Sequence, residues 1–335
     1  MNARDPLVSV VTPVYNGGQY LAECIESVLA QTFQHWEYII VNNCSTDDSL
    51  AIAEHYAQKD SRIRVLSNTS FVGLIENHNI AFSLISPQSK YCKVVSADDW
   101  IAPDCIEKMV LLGEANPTIA IIGSYQQSAE RVRWKGLPVE TNVISGKEVC
   151  RSTLLNNLDV FGTPTSLLYR SSLVRQNKPF YPHSLPHADT STCFKYLQSH
   201  DFGFVHKILC VERVHAHQIS SNVKWIAAGN AAFLEHFLTY GPIYLSEAEF
   251  EERKRVYLEG YYRWLGGSVL KLREKEFWNY HTSRLSEMGY PIQWTKVVRA
   301  TVEEIVDEIR RPSVAFAKLS TVIKLKYTNR HGKNS

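Results

Sequence analysis

Paired cysteines, a bilayer-length apolar run and a concentrated basic face are all missing from this chain of 335 residues. Its seven cysteines (Cys24, Cys44, Cys92, Cys105, Cys150, Cys193 and Cys210) are odd in number, scattered, and without a Cys-x-x-Cys pair. That argues against a disulfide framework and a zinc knuckle, and for reduced thiols used as small core residues. No stretch approaches the ~18 apolar residues that span a membrane, and no basic-then-apolar leader is present, so the cytoplasm is the expected location. Thirty-six Lys and Arg against 34 Asp and Glu leave a formal net charge of +2, with no basic row interleaved with aromatics. Nucleic acid is therefore not an expected partner. Internal repeats and low-complexity tracts are also absent. What remains, 44% hydrophobic and 21% charged, is ordinary for a globular protein with one large core or one domain plus an appendix.

Up to about Gln127 the pattern alternates between strand and helix. Leu7–Val14 is a near-continuous apolar run suited to a strand buried on both faces. Gly18–Ala30 places Leu21, Ile25, Val28 and Leu29 at helical spacing. Glu37–Val41 reads as a second strand, and Ser45-Thr46-Asp47-Asp48 as a Ser-x-x-Asp cap opening the next helix. Strands follow at Ile63–Leu66, Tyr91–Val95 and Thr118–Gly123, with helices at Leu74–Ile85 and Pro103–Glu114. Such alternation predicts an α/β fold, a parallel sheet with helices on both faces and ligands at the strand C-termini. Beyond it, Ser145-Gly146-Lys147-Glu148 reads as a capping box, Ser166–Tyr169 and Phe202–Val214 as strands, and the chain after Ser221 as mostly helical.

The chemistry-bearing residues fall at the strand ends. Tyr15-Asn16 follows the first strand, Asn42-Asn43 the second, and Ser96-Ala97-Asp98-Asp99 the fourth. Two adjacent carboxylates leaving a buried strand are costly unless a cation or a hydrogen-bonding ligand meets them. A metal-bound diphosphate supplies both, which points to an enzyme handling a nucleotide-activated group.

Val8–Asn16, Tyr38–Asp48 and Val94–Pro103 together resemble the opening of a family 2 glycosyltransferase with the GT-A fold. The resemblance covers roughly residues 6–220. It implies a mainly parallel sheet flanked by helices over residues 1–220, with a donor-binding half to about 127 and an acceptor half over 128–220. The resemblance says little about residues 221–335, which the sequence pattern reads as a helical C-terminal region. By this resemblance Thr12, Pro13 and Tyr15 line the nucleotide base and ribose. Asn43 replaces the acid that accepts the N3–H of uracil, keeping a uridine or thymidine donor as the expectation. In Gly73-Leu74-Ile75-Glu76-Asn77-His78-Asn79, Asn79 matches the family's R-N pair while His78 stands where an arginine is usual. Asp99 would coordinate Mn²⁺ or Mg²⁺ on the donor diphosphate, Asp98 would contact ribose or metal, and Ser96 replaces the first acid of the motif. Asp189, in His187-Ala188-Asp189, occupies the place of the catalytic base. Arg213-Val214-His215 resembles a following R-x-H, which brings His215 or His217 toward the diphosphate and sets His215 beside Asp99 at the metal.

The resemblance implies an inverting, metal-dependent transferase moving a sugar from a nucleotide-diphosphate donor to a hydroxyl of a glycan or lipid-linked acceptor in polysaccharide biosynthesis. Plainer readings stand beside each residue: Tyr15 half-buried, Asn43 shaping a turn, His78 on a helix face, and Asp98-Asp99 and Asp189 as helix caps. Departures at Ser96, Asn43, His78 and Ala188 keep open a catalytically silent sugar-nucleotide or glycan-binding module. A nucleotidyltransferase on a related fold normally carries a G-G-x-G-x-R loop, which Pro13-Val14-Tyr15-Asn16-Gly17-Gly18 is not. The tail from Pro312, basic and partly amphipathic, is either a solvated helix or a peripheral contact with the inner face of a membrane.

Overall fold

The computed structural model describes residues 5–182, 187–215 and 226–310. The chain divides into two compact units: residues 1–216 with 240–245, and 217–239 with 246–335. This division falls at 216/217, against the 220/221 expected from the sequence, and assigns residues 240–245 to the first unit.

The first unit is built on a ten-stranded sheet of order β3-β2-β1-β4-β9-β6-β10-β5, with β7 and β8 pairing β6 and β10. β1 (Val8–Val14) is buried at every position, as its unbroken apolar run requires. It pairs in parallel with β2 (Trp36–Asn42) and β4 (Tyr91–Val94), and β2 pairs in parallel with β3 (Ile63–Ser67). β1's register with β4 ends at Val11–Val94, so Pro13 costs no ladder bond on that side and β4 is free to diverge into Ser96–Asp99.

The sheet is mainly parallel, as expected, with antiparallel strands added. β9 (Leu167–Arg170) lies antiparallel between β4 and β6 (Ile119–Ser128), while β6 and β10 (Asp201–Glu212) are parallel. Three short strands escaped the sequence pattern: β5 (Trp100–Ile101), β7 (Arg131–Arg133) and β8 (Val143–Ser145).

α1 (Gly18–Leu29), α2 (Ser49–Lys59) and α4 (Cys105–Ala115) pack on one face, around Val8, Val10, Tyr38 and Ile40. Alternate residues such as Val11 and Ile39 turn to the other face, where α3 (Leu74–Ser83) and α6 (Ser171–Gln176) lie. All seven cysteines are free thiols and all but Cys44 are buried. Neither expected capping box forms: α2 starts only at Ser49, and Ser145 makes no side-chain cap to α5 (Gly146–Asn156). α7 (Ala188–Tyr196) completes this unit's helices that bear on the site.

The second unit holds most of α8 (Gly229–Tyr244), α9 (Glu247–Leu270), α10 (Lys275–Glu287) and α11 (Trp294–Arg310), around Leu234, Tyr261, Leu265, Phe277 and Val297. Ser246 and Glu249 form a capping box at the start of α9. Gly266 lets α9 meet α11 closely, since a Cβ there would lie 2.7 Å from the Ala300 and Thr301 backbone. Among the described residues no helix is long and apolar enough to cross a membrane. The basic tail from Pro312 lies outside the described residues.

Candidate active site

Two loops at the C-terminal ends of β1 and β2 are laced together. Asn16 sits at φ +49°, a left-handed conformation that asparagine tolerates. Its N–H donates to Ser45 Oγ (3.0 Å) and its Oδ1 accepts from the Thr46 N–H (2.8 Å). The Gly18 N–H donates to Asp47 Oδ2 at 2.8 Å, and Asp47 Oδ1 accepts from the Ser49 N–H at 3.0 Å. Burial opposes ionisation of Asp47, but the hydrogen bonds from Ser49 and Gly18 hold its carboxyl below the usual range. The Asp47 carboxylate thus anchors α1 as well as α2.

Above these loops Tyr15 is 51% exposed, and its ring meets Phe71, itself 60% exposed, at 4.8 Å in an edge arrangement. Two exposed aromatics at a strand end form a platform on which a flat base can stack. Phe71 was not singled out in the sequence, because it stands alone in a loop after β3.

The acid pair follows β4. Asp99 is 5% exposed; the Thr165 hydroxyl donates to its Oδ2 at 2.6 Å and the Arg213 N–H to its Oδ1 at 3.3 Å. Thr165 also accepts from the Ser96 N–H at 3.0 Å, so one buried hydroxyl ties both ends of the Ser96–Asp99 turn. Burial above all, and then the Asp98 charge, push the Asp99 carboxyl up to about 7. Asp98 is partly exposed and lies 3.1 Å from His215 Nε2. The Arg213 guanidinium stacks over Tyr20 (4.6 Å) and Trp100 (4.9 Å) and pairs with Glu23.

These residues suit a hard divalent cation. An acid whose ionised form is disfavoured by burial and a like charge gains most from a nearby positive charge. Among the described residues no three His, Cys, Asp or Glu side chains form a ready-made cage, so a cation held by this pair would need phosphate and water to complete its shell.

Asp189 stands in the first turn of α7, half-buried, with its Oδ1 accepting from the Thr190 N–H at 2.8 Å. Burial pushes its carboxyl up and the His187 charge opposes the rise. It lies near enough to Tyr169 and Tyr181 to raise their phenols further, and those two hydroxyls are 3.1 Å apart. Thr165 lies in the 3₁₀ turn Pro164–Ser166 directly before β9 and Tyr169 lies within β9, so one short segment carries both the hydroxyl on Asp99 and a phenol beside Asp189.

Five expected nucleotide contacts have side chains engaged in the scaffold. Thr12 is fully buried, donating to the Val95 carbonyl at 2.7 Å beside the Tyr38 hydroxyl at 2.8 Å, and Pro13 is buried with it. Thr12 is a tie between β1 and β4, not a lining side chain. Asn43 Oδ1 accepts from the Val72 N–H (3.0 Å) and Asn68 (2.9 Å), filling its two acceptor positions with the loop that carries Phe71. His78 is buried, with Nδ1 2.9 Å from the Leu74 carbonyl and its ring stacked 5.7 Å from Tyr181. Burial lowers its pKa, so it packs as a neutral ring and supplies no cation. Asn79 clamps the Tyr181 backbone, donating to its carbonyl and accepting from its N–H, both at 2.9 Å. His217 lies outside the described residues.

The profile of Glycosyl transferase family 2 matches residues 9–176. An uncharacterized glycosyltransferase of Haemophilus influenzae is 31% identical over 191 residues, 55% of this chain and 58% of its own length. A putative teichuronic acid biosynthesis glycosyltransferase of Bacillus subtilis is 29% identical over 231 residues, 68% of this chain and 87% of its own. The chain spans 58%, 39% and 41% of the length of the first three curated relatives it matches. Among solved structures, S. aureus TarS 1–349 in complex with UDP-GlcNAc superposes with a TM-score of 0.62 at 17% identity, covering 84% of this chain and 80% of that one. The mannosyltransferase PcManGT of Pyrobaculum calidifontis, in complex with GDP-Man and Mn²⁺, gives 0.54 at 13% identity over 99% and 89%. The mixed sheet with flanking helices is therefore the GT-A architecture. Because the matched stretch runs through both laced loops, the acid pair and the Thr165 turn, the chain belongs to glycosyl transferase family 2.

Proposed function

We propose that the protein is an inverting, metal-assisted glycosyltransferase that moves a sugar from a uridine or thymidine diphosphate donor to a hydroxyl of a glycan or lipid-linked acceptor. The observation that carries this reading is Asp99: a buried carboxyl at a strand end, raised to about 7 and clamped by Thr165. Strongly shifted acids cluster at functional sites, and a cationic partner would stabilise the ionised form of this one.

In this reading Tyr15 and Phe71 hold the base, and Asp98 with Asp99 fixes the diphosphate end of the donor. A bound Mn²⁺ or Mg²⁺ supplies positive charge to the diphosphate as it leaves. Asp189 takes the proton of the acceptor hydroxyl while its oxygen forms the new bond to the anomeric carbon. The bond from that carbon to the phosphate oxygen breaks on the opposite side, and its electron pair leaves with the nucleotide diphosphate. The raised pKa of Asp189 makes its anion a stronger base than an exposed aspartate, which suits proton removal near neutral pH.

The test is a thermal-shift and transfer screen of UDP- and dTDP-sugars with and without Mn²⁺. A donor that stabilises the protein only with the ion, and loses its sugar to an acceptor, supports the reading. Pyrophosphate release from a nucleoside triphosphate and a sugar phosphate would replace it with nucleotidyl transfer, and tight donor binding with no transfer to any acceptor would leave a binding module.

A further inference from the structure

Lys93 is a charge where the pattern calls for a hydrocarbon. It sits within β4, with Val10 of β1 and Leu168 of β9 at its register positions, and it is fully buried. A lysine is almost never buried so completely unless something pairs it. Among the described residues it makes no ion pair with a carboxylate. Its Nζ donates instead to two backbone carbonyls, that of Thr165 and, at 3.2 Å, that of Leu167. Its charge also reaches the buried Cys105 and Cys210 thiols, where it offsets part of the burial that pushes both up.

The two carbonyls belong to the junction between the 3₁₀ turn Pro164–Ser166 and β9. Thr165 is thereby held from both ends. Its carbonyl is tied to the ammonium, and its hydroxyl to Asp99 Oδ2 at 2.6 Å and the Ser96 N–H at 3.0 Å. A carbonyl fastened to a buried cation cannot turn away without leaving that cation unpaired, a penalty no neutral donor imposes. With the main chain so fixed, the staggered rotamers leave the hydroxyl few directions, and the one adopted meets Asp99. Lys93 donates to neither carboxylate of the acid pair, so its influence on them runs through this turn.

We propose that Lys93 is a positioning residue for the cation site: by fastening the Thr165–Leu167 backbone it keeps the Thr165 hydroxyl on Asp99 and holds that carboxylate in one orientation. This rests on the reading of Asp98 and Asp99 as the seat of a donor-bound divalent cation. Outer partners that orient a metal ligand contribute about 10–100-fold to metal affinity or activity, and Lys93, acting from behind the hydroxyl, belongs at the lower end.

UDP titrated into the full chain by calorimetry, with excess Mn²⁺ and with none, isolates what the ion adds. Lys93→Met keeps an unbranched stem and removes the ammonium, and the gain from Mn²⁺ should fall by about tenfold. Val10→Ala opens a cavity in the same core without removing a hydrogen bond of the turn, and should alter the gain by less than about twofold. In a Thr165→Val background Lys93→Met should add less than about twofold, because the hydroxyl it positions is gone. Without metal, exchange of the Ser96 amide should quicken by about tenfold in Lys93→Met. Should that variant not fold, Lys93→Gln, which keeps N–H donors without the charge, should still lose at least about threefold of the gain. An undiminished gain, a loss matched by Val10→Ala, full additivity with Thr165→Val or unchanged Ser96 exchange overturns the proposal and leaves Lys93 a brace of β9. A wild type whose UDP affinity is indifferent to Mn²⁺ removes the cation reading itself, and this proposal with it; failure of the proposal alone leaves the wild-type gain intact.

Discussion

Replacing Thr165 by valine removes one buried hydroxyl and keeps the side chain's volume, so the loss is almost purely polar. Three contacts go: the one donated to Asp99 Oδ2 at 2.6 Å, the one accepted from the Ser96 N–H at 3.0 Å, and a contact with the half-buried Ser96 hydroxyl at 3.1 Å, which water can replace. A hydrogen bond to a charged group contributes about 1.5–3 kcal/mol, and an amide left without an acceptor costs about 1–3 kcal/mol. Ser96 is only half-buried, which sets its share near the low end and the total near 3–4 kcal/mol. Hydrogen exchange at the amides of β4 and β9 reports the first unit alone, which matters because a chain of two units need not unfold in one step. Thr165→Val, Asp99→Asn and the double variant complete a cycle, and the coupling expected between the two side chains is about 1.5–3 kcal/mol. Mn²⁺ affinity, read by calorimetry, should fall with Thr165→Val because the carboxylate is no longer held in one orientation. A loss of stability under about 1 kcal/mol, or no coupling, would refute the claim that Thr165 clamps Asp99.

Asp189→Asn should lower transfer by about 10²–10⁴ while leaving the donor Kd within twofold, and substantial residual transfer removes the base assignment. The same variant should melt at a higher temperature: the folded pKa lies above the unfolded one, so the wild type loses stability as pH rises through and beyond the ordinary carboxylate range, and asparagine does not. Tyr15→Ala or Phe71→Ala should weaken UDP binding by about 1–3 kcal/mol in calorimetry, and unchanged affinity in both discards the platform. His281 is fully buried, with Nε2 2.7 Å from the Ile226 carbonyl and Nδ1 2.6 Å from the Tyr261 hydroxyl, and burial lowers its pKa. The folded state therefore disfavours the proton that the unfolded chain accepts, and stability should fall with pH below about 6.5, by at most about 1.4 kcal/mol per unit. Urea melts of wild type and His281→Gln should diverge in their pH dependence there; parallel curves dismiss the effect.

Periodicity reveals an element in proportion to its length. β1 and α1 were readable to within a residue, because seven and 12 residues sample their repeats more than once. β5, two residues directly after the acid pair, offers no repeat to detect. The antiparallel β9 was visible as a strand, but its direction depends on which neighbours it finds, and that lies in the tertiary contacts. The capping boxes failed for a related reason. Ser45 had a better use for its oxygen, 3.0 Å from the Asn16 N–H, than the end of its own helix.

The site divides along the same line. Motifs at strand ends announce where a site lies, since a parallel strand's C-terminus is where the backbone opens. They do not say which atoms face the opening. Thr12, Asn43 and Asn79 sit at the expected places, yet each spends its polar group on the scaffold: β1 to β4, the Phe71 loop to β2, and the Tyr181 segment to α3. Short polar side chains next to freed backbone bond locally wherever geometry allows, so the residues that remain available to a ligand are those with no such outlet. Tyr15 is one, with an exposed ring. Asp99 is a different case: the scaffold bonds both of its oxygens, yet burial and the Asp98 charge still push its carboxyl up to about 7, a condition that a nearby positive charge would relieve.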